Sequence, residues 1–127
     1  MKKHKFSCER GGLTIRGNLF QPEGENLPIA ILSHGFMANQ STMKGYAQAA
    51  AELGFAAFTY DFCGGCLWGR SDGKTTDMSV LTEVEDLQAV IAYASALPFT
   101  DESRIVLIGA SQGGFVSALT AAQMGNK

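Results

Sequence analysis

Residues 109–113 read Gly-Ala-Ser-Gln-Gly, a G-x-S-x-G pattern that could hold a serine for nucleophilic attack. An apolar segment, residues 104–109, precedes the pattern, and a sequence typical of a helix follows it. In a sharp strand-to-helix turn, glycines at both ends avoid collisions with the neighbouring elements, and the serine hydroxyl projects above the sheet. Ser111 is therefore the candidate nucleophile. The N–H of Gln112, at the start of the helix, is a candidate donor to an oxyanion.

A second motif, Leu-Ser-His-Gly-Phe at residues 32–36, follows another apolar segment. If the two segments are neighbouring parallel strands, both loops open at the carboxyl edge of the sheet, where ligands bind in α/β folds. A His-Gly turn there can aim the Phe36 N–H at the point that the Gln112 N–H faces, which makes a two-donor oxyanion hole. An ordinary Gly-Ser turn is the alternative for residues 109–113 alone. The two motifs together favour acyl-transfer catalysis.

A nucleophilic serine needs a general base, and the chain has two histidines. His34 adjoins the predicted oxyanion loop, where an imidazole more often holds the loop by hydrogen bonds, so its use as the base is the less favoured interpretation. His4 lies in a lysine-rich start and is predicted to be a solvated tail residue. We therefore expect the base to lie outside these 127 residues.

The acidic residues offer no clear partner for a base. Asp61, at the end of a predicted strand, could pass for a triad acid, whereas Asp72 lies in a Ser-Asp-Gly turn. Glu83, Glu85 and Asp86 are predicted to form a solvated helix face near a helix N-terminus, where acidic groups are favourable.

The three cysteines are Cys8, Cys63 and Cys66. An odd number without an export signal favours reduced thiols. The C-x-x-C spacing of Cys63 and Cys66 could suggest zinc or redox chemistry. It has no second ligand pair and lies among glycines, so we predict a glycine-rich loop and no metal.

The pattern along the chain predicts an α/β fold, a mostly parallel sheet with helices on both faces, in which short apolar segments alternate with helical ones. The predicted strands are residues 13–20, antiparallel and paired with residues 6–8, then 28–33, 55–62 and 104–109. The predicted helices are residues 41–53, 79–97 and about 111–124. Their buried faces are expected to be Met43, Tyr46, Ala47, Ala50 and Leu53 in the first, Val80, Val84, Leu87, Ile91 and Ala94 in the second, and Phe115, Ala118, Leu119 and Ala122 in the third.

The strand at residues 104–109 is apolar throughout, as is typical of a central strand covered on both faces. The predicted strand order nevertheless gives it a neighbour on one side only. An apolar strand at an open edge favours aggregation. Residues 1–127 are therefore expected to be the N-terminal portion of a single domain that is truncated after the nucleophile helix.

Composition excludes several classes of function. The chain has 127 residues, 46% of them hydrophobic, which indicates one folded domain and argues against disorder. Its net charge of -2 gives no basic surface for nucleic acid. It has no apolar segment near the roughly 18 residues that a membrane span needs. Its lysine-rich start has no apolar stretch behind it, so we expect a cytoplasmic protein.

The chain resembles the N-terminal half of an α/β-hydrolase, and more narrowly the bacterial cinnamoyl (feruloyl) esterases. The stretches that carry the resemblance are residues 8–17, 32–36, 60–65, 71–87 and 108–114. The resemblance implies that Ser111 attacks an ester carbonyl, and that the N–H groups of Phe36 and Gln112 hold the oxyanion. It also makes Asp61 a loop-bracing residue, and it puts the triad acid, the histidine and the lid on later segments. Cys66 departs from the family, in which this loop tends to carry another glycine.

The sequence therefore predicts a serine carboxylesterase that acts on a small-molecule ester through an acyl-serine intermediate, without metal or organic cofactor. The isolated 127 residues are expected to be inactive because they lack acid and base. One alternative is a non-catalytic binding or assembly module that forms a homodimer through the open sheet edge. Another is a thioesterase, acyltransferase or peptidase of the same fold.

Overall fold

The computed structural model describes residues 2–10, 12–33, 43–61, 80–109, 117 and 120–121, with residues 80–82 described by their backbone alone. Residues 117, 120 and 121 are helical, and the remaining described elements alternate as an α/β chain does. The strands are β1 (Lys2–Arg10), β2 (Leu13–Gln21), β3 (Leu27–Ser33), β4 (Ala56–Tyr60) and β5 (Thr100–Gly109), and the helices are α1 (Lys44–Glu52) and α2 (Val80–Ser95).

The five described strands form one sheet in the order β1-β2-β4-β3-β5. β1, β2 and β4 pair in antiparallel fashion, while β4, β3 and β5 are parallel. The predicted hairpin is confirmed, because Phe6 pairs with Gly17 and Cys8 with Ile15. The prediction that β3 and β5 are neighbouring strands is confirmed as well.

Helices cover both faces of the sheet, as predicted. Side chains on a strand alternate between its two faces, and each face has its own apolar cluster. Ile29, Ile31 and Phe58 pack on the face that α2 covers. Ala30 and Ala57 pack on the face that α1 covers.

The buried face of α1 differs from the predicted one. Met43, Ala47 and Ala50 are buried, but Tyr46 and Leu53 are 65% and 79% exposed. The buried face of α1 is centred on Ala47 and includes Ala50 and Ala51, so that small side chains lie against the sheet. At about 100° per residue, Tyr46 and Leu53 then lie beyond its edge.

Helix α1 ends just before Gly54, as predicted. Gly54 has a φ of 99°, in the left-handed region that glycine adopts at little cost. The Phe55 N–H donates to the Ala50 carbonyl at 3.1 Å, a contact typical of a helix that ends at a glycine.

The predicted buried stripe of α2 is confirmed at Val84, Leu87, Ile91 and Ala94, whereas the side chain of Val80 lies outside the described residues. The hydroxyl of Thr100, the first residue of β5, donates to the carbonyls of Ala94 at 2.6 Å and Leu97 at 2.9 Å. These bonds satisfy carbonyls at the C-terminal end of α2 and fix where β5 begins.

Among the described strands, β5 has β3 as its single neighbour, as the sequence predicts. The prediction that both faces of β5 are covered is wrong for this part of the chain. Val106 is 43% exposed, and the contacts of α1 with the sheet are chiefly with β2, β3 and β4. In the last helix, Ser117 and Thr120 are buried, and its predicted apolar face lies outside the described side chains.

Candidate active site

The carboxyl ends of the three parallel strands meet at one edge of the sheet. β3 and β4 are in register as far as Leu32 and Thr59, so that Ser33 and Tyr60 are the next residues of each strand. On the other side of β3, Ser33 lies beside Gly109. We call Tyr60, Ser33 and Gly109 the strand-end row.

The predicted site residues follow the strand-end row in sequence. Ser111, Gln112 and Phe36, as well as His34, lie outside the described residues, so the structure supplies only the strands that carry them. The predicted oxyanion segment with Phe36 follows Ser33 in sequence, and the G-x-S-x-G pattern begins at Gly109, which pairs with Ser33. Both candidate loops therefore start at neighbouring points of the sheet.

The strand-end row holds a buried hydrogen bond that sequence analysis did not find. The Ser33 Oγ and the Tyr60 Oη are 2.8 Å apart, and both residues are completely buried. Burial raises the pKa of Tyr60 well above its ordinary value of 10. The hydrogen bond from Ser33 opposes this shift, while the negative charges of Asp86 and Glu83 and the Cys8 thiol add to it. The phenol is therefore neutral at physiological pH.

Two of the three acids predicted to face solvent are buried. Glu83 is 1% and Asp86 0% exposed, and Glu85 alone is exposed as predicted. A helical spacing of three to four residues places Glu83 and Asp86 on the same face as Leu87 and Val90. The spacing puts both acids on the buried face of α2, but a buried carboxylate also needs a partner that the local sequence does not show.

A residue from β1 neutralises the buried carboxylate of Asp86. The Arg10 Nε donates to the Asp86 Oδ1 at 2.6 Å, which joins β1 to α2 across 76 residues of sequence. A buried carboxylate without such a partner would be strongly unfavourable. Cys8 is a half-buried free thiol, and its burial, with a smaller contribution from Asp86, raises its pKa to about 11.

The positions of Asp61 and His4 bear on the remaining predictions. Asp61 is 2% exposed, and its N–H donates to the Arg16 carbonyl at 3.1 Å, which continues the pairing of β4 with β2. The bracing role that the resemblance implies for its side chain stays a prediction. His4 is exposed as predicted, but it belongs to β1 and not to a tail. Asp72, Cys63 and Cys66 lie outside the described residues.

Within the described ranges, no cluster of three or more His, Cys, Asp or Glu side chains is placed to hold a metal ion. None of the helices that the structure describes is long and apolar enough to cross a membrane.

The chain is similar to proteins of known sequence over most of its length. A family model described as serine aminopeptidase, S33, matches residues 24–127. An uncharacterised 31.7 kDa protein from the traX-finO intergenic region of Escherichia coli is 37% identical over 113 residues, which cover 87% of this chain and 37% of that protein.

Solved structures share the fold. DcsB, determined in complex with its substrate analogue, has a TM-score of 0.87 and 32% identity, and the match covers 95% of this chain and 41% of DcsB. Est1E from Butyrivibrio proteoclasticus, determined with ferulic acid bound, has a TM-score of 0.85 and 28% identity over 94% of this chain and 47% of Est1E.

The chain thus spans less than half the length of these relatives. The family match covers most of the chain and includes both candidate loops, and the sheet order and the neighbouring structures agree with it. The chain belongs to the serine aminopeptidase S33 family, within the α/β-hydrolase superfamily.

Proposed function

We propose that this chain supplies the nucleophile and the oxyanion hole of a serine ester hydrolase. Ser111 attacks the ester carbonyl, and the N–H groups of Phe36 and Gln112 stabilise the oxyanion. The alcohol then leaves, and water hydrolyses the acyl-Ser111 intermediate to release the acid and restore the serine. The observation that carries the proposal is the pairing of Ser33 with Gly109, which starts the two loops side by side.

The general base in this proposal comes from a part of the hydrolase that this chain does not span. His4 lies on β1, and three strands separate β1 from β5, the strand that leads to Ser111. At the usual strand spacing, that separation is about 20 Å, far beyond hydrogen-bond reach. The relatives, of which the chain covers less than half, leave room for both a base and an acid.

For the substrate, we propose an ester of an aromatic acid. The support is the similarity to Est1E, which binds ferulic acid in its solved structure, together with the resemblance of residues 60–65 and 71–87 to cinnamoyl esterases. The cytoplasmic location expected from the sequence stays a prediction. A peptidase is the second candidate function, because the matching family is described as a serine aminopeptidase.

The test compares residues 1–127 alone with a chimaera in which they are joined to the part of Est1E that the match does not cover. Nitrophenyl acetate, methyl ferulate and leucine nitroanilide report esterase, feruloyl esterase and aminopeptidase activity. We expect ester hydrolysis by the chimaera alone, since the loss of triad members costs about 10⁴ to 10⁶ in turnover.

In the chimaera, Ser111→Ala is expected to lower ester turnover by at least about 10³-fold. Ser103→Ala, which removes an exposed hydroxyl from the other end of β5, is the matched control and should leave turnover unchanged. Turnover that survives Ser111→Ala would exclude Ser111 as the nucleophile. Hydrolysis of the nitroanilide in preference to both esters would support the peptidase.

A further inference from the structure

The two outer strands of the described sheet carry different side chains. The second half of β5 is apolar, whereas residues 2–5 of β1 read Lys-Lys-His-Lys and are all exposed. We call residues 2–5 the basic edge. Among the described strands, β1 has β2 as its single neighbour, so part of its backbone N–H and C=O groups face outwards, where a further strand can bind them.

The lysines of the basic edge have no opposite charge beside them in the described part of the chain. They lie opposite uncharged residues of β2, in the pairs Lys2–Gln21, Lys3–Phe20 and Lys5–Asn18. None of the three forms an ion pair with another described residue, whereas Arg10 and Arg104 both do. The Lys3 ammonium lies over the Phe20 ring, 5.6 Å from its centroid. The positive charges of this edge are therefore available to an anionic partner.

The basic edge directs its charged side chains to both faces of the sheet. Lys3, over Phe20, is on the face that α1 covers, and Lys5 follows it there at the strand period. Lys2 and His4 are on the opposite face, with Phe6. A flat anionic surface such as a membrane meets one of these faces at a time. An extended chain beside β1 presents its own side chains to both faces in the same alternation, so the pattern favours a strand.

We propose that the basic edge binds an extended acidic segment of another protein, which joins the sheet as a strand beside β1. Backbone hydrogen bonds along the edge supply affinity, and acidic side chains opposite the lysines select the partner. A second copy of β1 would place lysines near lysines, which opposes pairing between copies at this edge. The proposal does not rest on the proposed function, since β1 and β5 are opposite edges of the described sheet.

Fluorescence anisotropy of a short labelled peptide tests the binding to residues 1–127. The peptide carries a run of glutamates between valines and threonines, and a control peptide has glutamines in place of the glutamates. We expect the glutamate peptide to bind at low ionic strength and to bind more weakly as salt is added, because salt screens exposed charges. The glutamine peptide should bind far more weakly.

Reversing two charges of the basic edge tests where the peptide binds. The double variant Lys3→Glu and Lys5→Glu should weaken binding of the glutamate peptide at least about fivefold, because cross-strand attraction becomes repulsion. The same variant should gain affinity for a peptide with lysines in place of the glutamates. Lys44→Glu, at an exposed lysine of α1, is the matched control and should leave both affinities unchanged. Should the double variant fail to fold, Lys5→Glu decides on the same criteria.

Hydrogen exchange then locates the bound peptide on the sheet. We expect backbone amides of β1 to exchange more slowly with the peptide bound, and those of β5 to be unaffected. The proposal is overturned if the glutamine peptide binds as tightly as the glutamate peptide, if Lys44→Glu has the effect of the double variant, or if protection appears at β5 instead. Binding to phosphatidylserine vesicles without binding to the glutamate peptide would also overturn it, in favour of a membrane surface.

Discussion

Gly17 shows how closely β2 approaches its neighbours. A Cβ atom at this residue would lie 2.1 Å from the Thr59 carbonyl oxygen and 2.6 Å from the Phe6 ring. The Phe6 ring in turn packs edge-on against Phe58 and is stacked on Tyr93. The neighbouring backbone would have to move to admit a methyl group, so residue 17 needs glycine for space.

We expect Gly17→Ala to lower the free energy of unfolding by about 1–3 kcal/mol, the usual range for overpacking. Gly45→Ala is the matched control, because nothing lies within 4 Å of the added Cβ and residue 45 is helical. There alanine should raise the free energy of unfolding by about 0.5–1 kcal/mol. Urea titration measures both changes, and a loss of stability in Gly45→Ala would contradict this account.

Asp101 forms a local set of hydrogen bonds near the start of β5, where the pairing with β3 is irregular. Its carboxylate accepts hydrogen bonds from the N–H and hydroxyl of Ser103, at 3.0 and 2.6 Å, and from the Arg104 Nε at 2.8 Å. These bonds, the Ser103 hydroxyl first, lower the pKa of Asp101 from 3.8 to about 2. The carboxylate is accessible to solvent, so the stabilisation is screened and modest.

The pH dependence follows from the direction of that shift. A carboxyl whose pKa is lower in the folded state stabilises the fold above its unfolded pKa of 3.8, and this contribution is lost as the pH falls towards 2. We therefore expect wild type to be more stable than Asp101→Asn at neutral pH, and the difference to shrink through that window. Thermal unfolding across pH measures it, and an equal difference at both ends would count against the assignment.

At the scale of the elements, α2 carries two kinds of buried contact. Its apolar stripe packs against the sheet, and Asp86 on the same helix forms an ion pair with Arg10. The Asp86 side chain is completely buried, while that of Arg10 is 19% exposed. Removing one partner of such a pair leaves an uncompensated charge inside the protein.

We expect Asp86→Asn to lower the free energy of unfolding by about 2–3 kcal/mol, somewhat less than for a fully buried pair because Arg10 reaches solvent. Glu85→Gln, a neighbouring carboxylate on the exposed side of α2, should change it by no more than about 0.5 kcal/mol. Chemical denaturation of the two variants makes the comparison. Equal effects would mean that the contact with Arg10 contributes nothing.

Much of α2 is predictable from the sequence, and the exceptions have a physical cause. Val84, Leu87, Ile91 and Ala94 recur every three to four residues, and this spacing identifies the buried face of the helix. It does so because burial is favourable for an apolar side chain whichever apolar residues it packs against. The burial of Asp86 depends on Arg10, a residue of a distant strand, and no local pattern reports such a partner.

On the scale of the whole molecule, β5 is an edge strand among those described. Its neighbour β3 is almost entirely buried, whereas Val106 is 43% exposed on the face that α1 leaves largely open. Apolar strands with an unpaired edge tend to pair with further strands. We propose that, when residues 1–127 are produced alone, this edge pairs with a second copy of the chain.

Light scattering during size-exclusion chromatography tests this proposal. We expect residues 1–127 to migrate as a dimer and Val106→Lys to shift them towards the monomer, because an edge lysine opposes strand pairing. Leu53→Lys is the control, since Leu53 is 79% exposed on α1 and should leave the mass unchanged. A monomeric wild type, or an equal response to both lysines, would refute pairing through β5.

The sequence by itself determined the order of strands and helices, the α/β class, the hairpin and the neighbourhood of β3 and β5. The elements and the hairpin follow from the periodicity of apolar residues and from glycines, which act over a few residues of chain. The neighbour relation of β3 and β5 follows from the strand order that alternating βα units imply. The tertiary structure alone decided that α1 exposes Tyr46 and Leu53, that Glu83 and Asp86 are buried, and that the hydroxyls of Ser33 and Tyr60 meet. Each of these depends on groups far apart in sequence, whose desolvation and pairing arise only when the elements pack together.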